Sequence, residues 1–178
     1  MQYSHIYAPR LLRETVNPVS QDGNTLYGEF DLRKVNSIEE QSSKHSPILG
    51  FAYDGNPIYG PYAYQKKSGG IITQMKSGYI LDIKSGRPLI SIFPEGFFVE
   101  DYTYNEVSDE TVLDENNGRF CVTPDYPEGT YAYFTTINDK FSSTSGVFEK
   151  YREPVFPYVV GENYKSVPNE FNFQLGSN

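Results

Sequence analysis

The stretch ILGFAYDGNPIYGPYAY, residues 48–64, decides the fold. Five tyrosines or phenylalanines, three glycines and two prolines share its seventeen residues, with one carboxylate, Asp54, at the centre. Short apolar and aromatic runs bounded by Gly, Pro, Asn and Asp have the signature of strands and turns. Ile48 to Tyr53 and Pro57 to Tyr64 therefore read as two β segments joined at Asp54-Gly55-Asn56, with a second bend at Gly60-Pro61. In this reading Asp54 accepts backbone N–H groups of its bend, as aspartates do in turns. A structural role is favoured over a catalytic one.

The same grammar continues on both sides. TLYGEFDL (25–32) alternates Leu26, Gly28, Phe30 and Leu32 with Tyr27, Glu29 and Asp31. GIITQM (70–75), GYILDI (78–83), PLISIF (88–93), GFFVEDYTY (96–104), RFCVT (119–123), GTYAYFTTI (129–137) and VFPYVV (155–160) extend the series of expected strands. The acidic segment 105–117 and FSSTSG (141–146) read as surface loops. Helix signals are weak: NSIEEQSSK (36–44) has capping-box spacing between Ser37 and Glu40, enough for one short turn. Many short strands punctuated by turns indicate an all-β domain, an antiparallel sandwich or barrel-like unit with long loops and little helix.

Composition bounds the function. The chain has 178 residues, 16 Tyr, 12 Phe and no Trp, and 38% hydrophobic content. Aromatic rings thus supply much of the core, each tyrosine keeping one polar end. A net charge of −8 and the lack of any Lys/Arg stripe argue against nucleic acid, whose binding depends on clustered cations. One cysteine, Cys121, excludes an intrachain disulfide. The start MQYSHIYAPR has no apolar core of a secretory signal, and no run approaches a membrane span. Whether the chain is whole or part of a longer one stays open.

Chemistry-bearing clusters are scarce. His5 and His45 are the two histidines and lie forty residues apart, which with one cysteine leaves too few soft ligands for a zinc or copper centre. No G-x-S-x-G is present, and Cys121 reads as a small apolar filler. Asp114, Glu115, Asn116 and Asn117 have a composition that calcium tolerates but lack the spacing of a calcium loop, so a hydrogen-bonded turn is favoured. Pairing of Asp54 with Asp114 or Asp125 is conceivable in space. Exposed tyrosines, Tyr59, Tyr62 and Tyr64 in particular, are candidates for surface contact with a protein or a sugar ring. No cofactor and no metal are expected.

Three blocks then stand together: SPILGFAYDGNPIYGPYAY (46–64), LDENNGRFCVTPDYPEGTYAYFTT (113–136) and FPYVVG (156–161). They resemble the YHYH domain family, whose members carry an Asp-Gly-x-Pro-Ile-Tyr-Gly-Pro block and a Leu-Asp-Glu-x-Asn-Gly block running into Tyr-His-Tyr-His. The resemblance carries over Asp54, Gly55, Pro57, Tyr59, Gly60, Pro61, Asp114, Glu115, Asn117, Gly118, Tyr131 and Tyr133 as motif positions. The tetrad here reads Tyr131, Ala132, Tyr133, Phe134: both histidines are replaced, and Asn116 stands where the family's block usually has cysteine. Metal or proton chemistry of the tetrad does not carry over.

This degenerate form is similar to YHYH-containing regions of structural proteins in tailed bacteriophages of the cyanophage type. The resemblance implies a β domain over 45–161. Residues 1–44 would be first strands or the end of a preceding domain, and 162–178 an extension or a linker to a further region. It also implies a non-enzymatic module of a virion tail or baseplate, assembled in the host cytoplasm. Such a module contacts other virion proteins or a host-surface glycan, with no membrane or nucleic-acid partner. A glycan-binding module and a metal-dependent or redox enzyme of the parent family are the alternatives.

Overall fold

The computed structural model of the chain describes residues 44–144 and 147–168, and between 139 and 152 the backbone alone. TLYGEFDL, His5 and all but the last residue of NSIEEQSSK lie outside the described residues.

Ile48–Phe51 (β1) and Pro57–Tyr59 (β2) pair antiparallel across the Asp54-Gly55-Asn56 bend, as their turn chemistry predicts. The bend closes through Ala52 and Asn56, with Gly55 at φ 83°, a conformation that a residue without Cβ adopts freely. Gly60-Pro61 redirects the chain into Tyr62–Lys66 (β3), which pairs with Gly69–Gln74 (β4). Tyr79–Leu81 (β5) pairs with Tyr102–Tyr104 (β6), and Gly118–Cys121 (β7) with Thr130–Phe134 (β8). Ile137–Thr144 (β9) and Val147–Pro154 (β10) form a last antiparallel ribbon.

The all-β expectation holds. Among the described residues the strands form one four-stranded sheet, ordered β1-β2-β8-β7, and three two-stranded ribbons. Among the described residues no ladder closes into a barrel, and, apart from an isolated parallel bridge between Lys76 and Val112, one pairing of strands departs from the antiparallel expectation. β2 and β8 run parallel, Ile58 opposite Tyr133 and Tyr59 opposite Phe134. Parallel pairing demands a long crossover, and the chain supplies it with residues 60–129. The two motif blocks thus become neighbours in one sheet. No helix among the described residues is long and apolar enough to cross a membrane.

Several expected elements differ. GFFVEDYTY is a strand only at Tyr102–Tyr104, because Val99–Asp101 before it form a 3-10 turn. PLISIF is a turn, not a strand: Ile92 and Phe93 both donate to the Leu89 carbonyl, and the Arg87 guanidinium takes the Phe93 and Pro94 carbonyls. Carbonyls held by a guanidinium are withdrawn from any ladder. VFPYVV is also turned, with Tyr158 N–H on the Val155 carbonyl and Tyr158 at φ 72°. In FSSTSG, residues 141–144 belong to β9 rather than to a loop.

The core gathers Tyr59, Ala63, Met75, Leu113, Cys121, Ala132 and Phe134. Tyr59 stacks on Phe134 at 5.7 Å, and His45 meets Tyr59 edge-on at 5.0 Å. Strand β7 reverses the usual sense of alternation. Arg119 is buried while Phe120 faces solvent. Burying a guanidinium demands compensation. Arg119 donates to the Tyr64 and Glu110 carbonyls and lies 5.6 Å from the Phe134 ring centre.

Candidate functional site

Side chains two apart on a strand share a face. On β8 that rule separates Tyr131 and Tyr133 from Ala132 and Phe134. Tyr133 donates its hydroxyl to Asp54 Oδ2 at 2.7 Å, and Tyr131 donates to Asp114 at 2.8 Å (Oδ1) and 3.0 Å (Oδ2). The two rings meet edge to face at 5.3 Å. Each carboxylate is also the pivot of its own turn. Asp54 accepts the Asn56 backbone N–H (3.2 Å) and amide (2.7 Å), whereas Asp114 accepts the Asn116 and Gly118 N–H groups at 3.0 and 3.1 Å. Asn117, buried at φ 62°, donates to the Phe134 and Val159 carbonyls. A Cβ at Gly118 would stand 2.6 Å from Tyr131 Cζ, so glycine is what lets this ring reach Asp114.

The electrostatics suit donation rather than proton transfer. Burial, joined by the neighbouring carboxylates, pushes both tyrosine hydroxyls well above their ordinary range. They remain protonated donors at any physiological pH. Burial raises the Asp54 carboxyl, but hydrogen bonds from Tyr133, Asn56 and the Ser166 backbone outweigh it and leave the group below its usual value. A carboxylate already holding these donors is a weak base.

A strap follows, running from Gly161 to Pro168, and lies over this face. Gly161 N–H reaches the Asn116 carbonyl, and a Cβ there would sit 2.8 Å from Asn116 Cα. Lys165 N–H donates to the Tyr133 hydroxyl at 2.7 Å and Ser166 N–H to Asp54 Oδ2 at 3.2 Å. The Lys165 ammonium stands 4.0 Å from Asp114 Oδ2 and 5.3 Å from the Tyr131 ring centre. Tyr164 meets Tyr53 edge-on at 6.2 Å. Beneath the strap Tyr133 is 0% exposed.

The structure thus brings Asp54 and Asp114 to one face, joined through tyrosines. Asp125 goes elsewhere: it is exposed and takes the hydroxyl of the core residue Tyr59 at 3.0 Å, which also meets the Thr123 hydroxyl at 2.9 Å. Two expected surface contacts are corrected. Tyr59 and Tyr62 are 0% and 2% exposed, Tyr59 in the main core and Tyr62 against Ile137 and Ile72, while Tyr64 is half-buried. Rings this large find more free energy in the core than in water. Pro57, Gly60 and Pro61 are buried, Gly55 and Glu115 exposed. The 105–117 segment is no surface loop throughout, since Leu113, Asn116 and Asn117 are buried.

Ala132 and Phe134, the positions where the resemblance has histidines, point into the apolar core beside Cys121. Burial raises the Cys121 thiol pKa and lowers that of His45. Among the described residues no group of three or more His, Cys, Asp or Glu stands close enough to hold a metal ion. Sequence reasoning missed the strap residues, the burial of Arg119, and the pair Arg87–Asp101. For Arg119 the alternation of RFCVT, with Cys121 inside, was an available signal.

That last pair builds a second surface. The Arg87 and Asp101 side chains are almost fully buried and meet as a fork, at 2.6 Å (Nε to Oδ1) and 2.8 Å (Nη2 to Oδ2). Asp101 further accepts the Gly96 and Phe98 N–H groups. The loop they clamp exposes Leu89 (70%), Ile92 (64%), Phe97 (61%) and Val99 (58%).

No curated protein and no solved structure matches the chain. The model of the family described as YHYH protein matches residues 6–147. That span starts within the segment that the sequence reading set apart from the 45–161 unit and takes in both acid–tyrosine pairs. With most of its length inside the match and the motif's acids and tyrosines joined pair by pair, the chain belongs to the YHYH protein family.

Proposed function

We propose that the chain is a non-enzymatic structural module that makes protein–protein contacts, in the setting of a tailed-phage tail or baseplate. One observation carries the contact-making part: the clamped loop holds Leu89, Ile92, Phe97 and Val99 in solvent. Several large apolar side chains presented from one braced loop are characteristic of an interaction surface, whereas single exposed ones need no explanation. The phage setting rests on the likeness of the degenerate tetrad and of residues 85–104 to virion proteins. The acid–tyrosine pairs support the non-enzymatic part, because their hydrogen-bonding capacity is spent on holding the two turns and the strap. Burial of Tyr59 and Tyr62 removes the stacking platform on which the glycan reading depended.

The test is mass spectrometry of purified particles together with cross-linking from the loop. Peptides of this chain in stoichiometric amount, cross-linked through 88–99 to another particle protein, are expected. Their absence from particles would overturn the assignment.

A further inference from the structure

The strap contacts have the form of a bound peptide. A segment that bends at 162–163 and again at 165–166 lays two successive N–H groups, of Lys165 and Ser166, on the Tyr133 hydroxyl and the Asp54 carboxylate. The residue before them sets an aromatic ring against Tyr53, and the lysine carries its ammonium between the Asp114 carboxylate and the Tyr131 ring. Backbone donors thus fix register, while the exposed Tyr53 ring and a cation site read two side chains. This is how peptide grooves combine affinity with specificity. A cation over a tyrosine face, beside a carboxylate, is favoured over an aliphatic chain of equal length by both terms. The receptor half comes from two turns and β8, all inside the family match, and the strap from beyond its end at residue 147.

We infer that the face formed by Asp54, Tyr133, Tyr131 and Asp114 is a peptide-binding groove for a bent aromatic–lysine segment, filled here by the chain's own strap. The inference rests on reading the chain as a contact-making module, but it concerns a different face from the clamped loop. A strap tethered in cis competes at an effective concentration of about a millimolar. A free peptide therefore gains access only when the strap is weakened. Every copy carries both groove and ligand, so the same contact can form within one chain or between two.

The probe is a labelled synthetic peptide of residues 162–168, titrated by fluorescence anisotropy against the full chain and against its Lys165→Glu/Ser166→Pro variant. That variant removes the ammonium and one N–H but leaves the groove intact. Near-UV circular dichroism verifies that it is folded, and Lys165→Glu alone serves if it is not. Saturable binding to the variant is expected, with binding to the unaltered chain at least about tenfold weaker. The same peptide with norleucine in place of lysine should also bind about three- to tenfold more weakly. No binding to the folded variant overturns the proposal. So does equal binding by the unaltered chain, or equal binding of the norleucine peptide. Failure here leaves the particle experiment unaffected, and absence from particles leaves peptide binding unaffected.

Discussion

Tyr133 concentrates what single residues contribute. Its ring is fully buried, its hydroxyl donates to Asp54, and the same oxygen accepts the Lys165 N–H. Tyr133→Phe keeps the ring and removes both bonds, leaving the half-buried Asp54 carboxylate one donor short and a backbone donor unmet. A loss of about 1–3 kcal/mol in urea unfolding is expected. Asp54→Asn made on top of Tyr133→Phe should cost less than it does alone, because the two share one bond. Additive losses would show that the pair is not coupled. Asp54 itself was legible: an aspartate before Gly-Asn turns the chain by accepting its own backbone. Its second partner was not, since seventy-nine residues separate it from Tyr133. Arg119 and Phe120 show the opposite failure. Hydropathy puts the ring inside and the cation out, but the Tyr64 and Glu110 carbonyls, which need donors, reverse the choice.

At the scale of elements, the loop between β5 and β6 tests what clamps it. PLISIF has the composition of a strand, and local propensity alone gives no reason to read it otherwise. The Arg87–Asp101 fork overrides propensity by engaging carbonyls and N–H groups that a ladder would use. The Arg87 hydrogen bonds and charge, aided by the Phe98 and Gly96 N–H groups and opposed by burial, hold the Asp101 carboxyl at about 2, below its ordinary 3.8. A depressed carboxyl stabilises the fold above its unfolded value and loses that contribution as pH falls through the folded one. The clamp is thus complete above about pH 4 and fails progressively toward pH 2. Amide exchange at Gly96 and Phe98 should accelerate across that window, beyond the intrinsic pH trend measured in Asp101→Asn. Unchanged protection would contradict the clamp. Arg87→Lys, which keeps the charge but not the fork, should leave the loop open to proteolysis at neutral pH.

For the whole molecule, the outward apolar face and the inward acid–tyrosine face have different energetic signatures. Leu89→Ser with Ile92→Ser removes side chains already in water, so the unfolding free energy should change by less than about 0.5 kcal/mol. Association with whatever covers the loop should fall sharply, read as loss of the loop's cross-links in assembled particles. A large drop in stability instead would mean that these side chains serve the fold.

The sequence by itself determined the all-β class, the turns at Asp54-Gly55-Asn56 and Asp114 to Gly118, and the family to which those turns belong. Each is a local matter, decided by φ freedom at glycine, a fixed φ at proline, and carboxylates within reach of their own backbone. Only the tertiary structure decided that β2 would lie parallel to β8. The same holds for the joining of both turn acids through Tyr131 and Tyr133, and for the strap that closes over them. Those contacts span tens of residues. They form because burying the rings leaves hydroxyls that need acceptors, and the two turns hold acceptors at the right height.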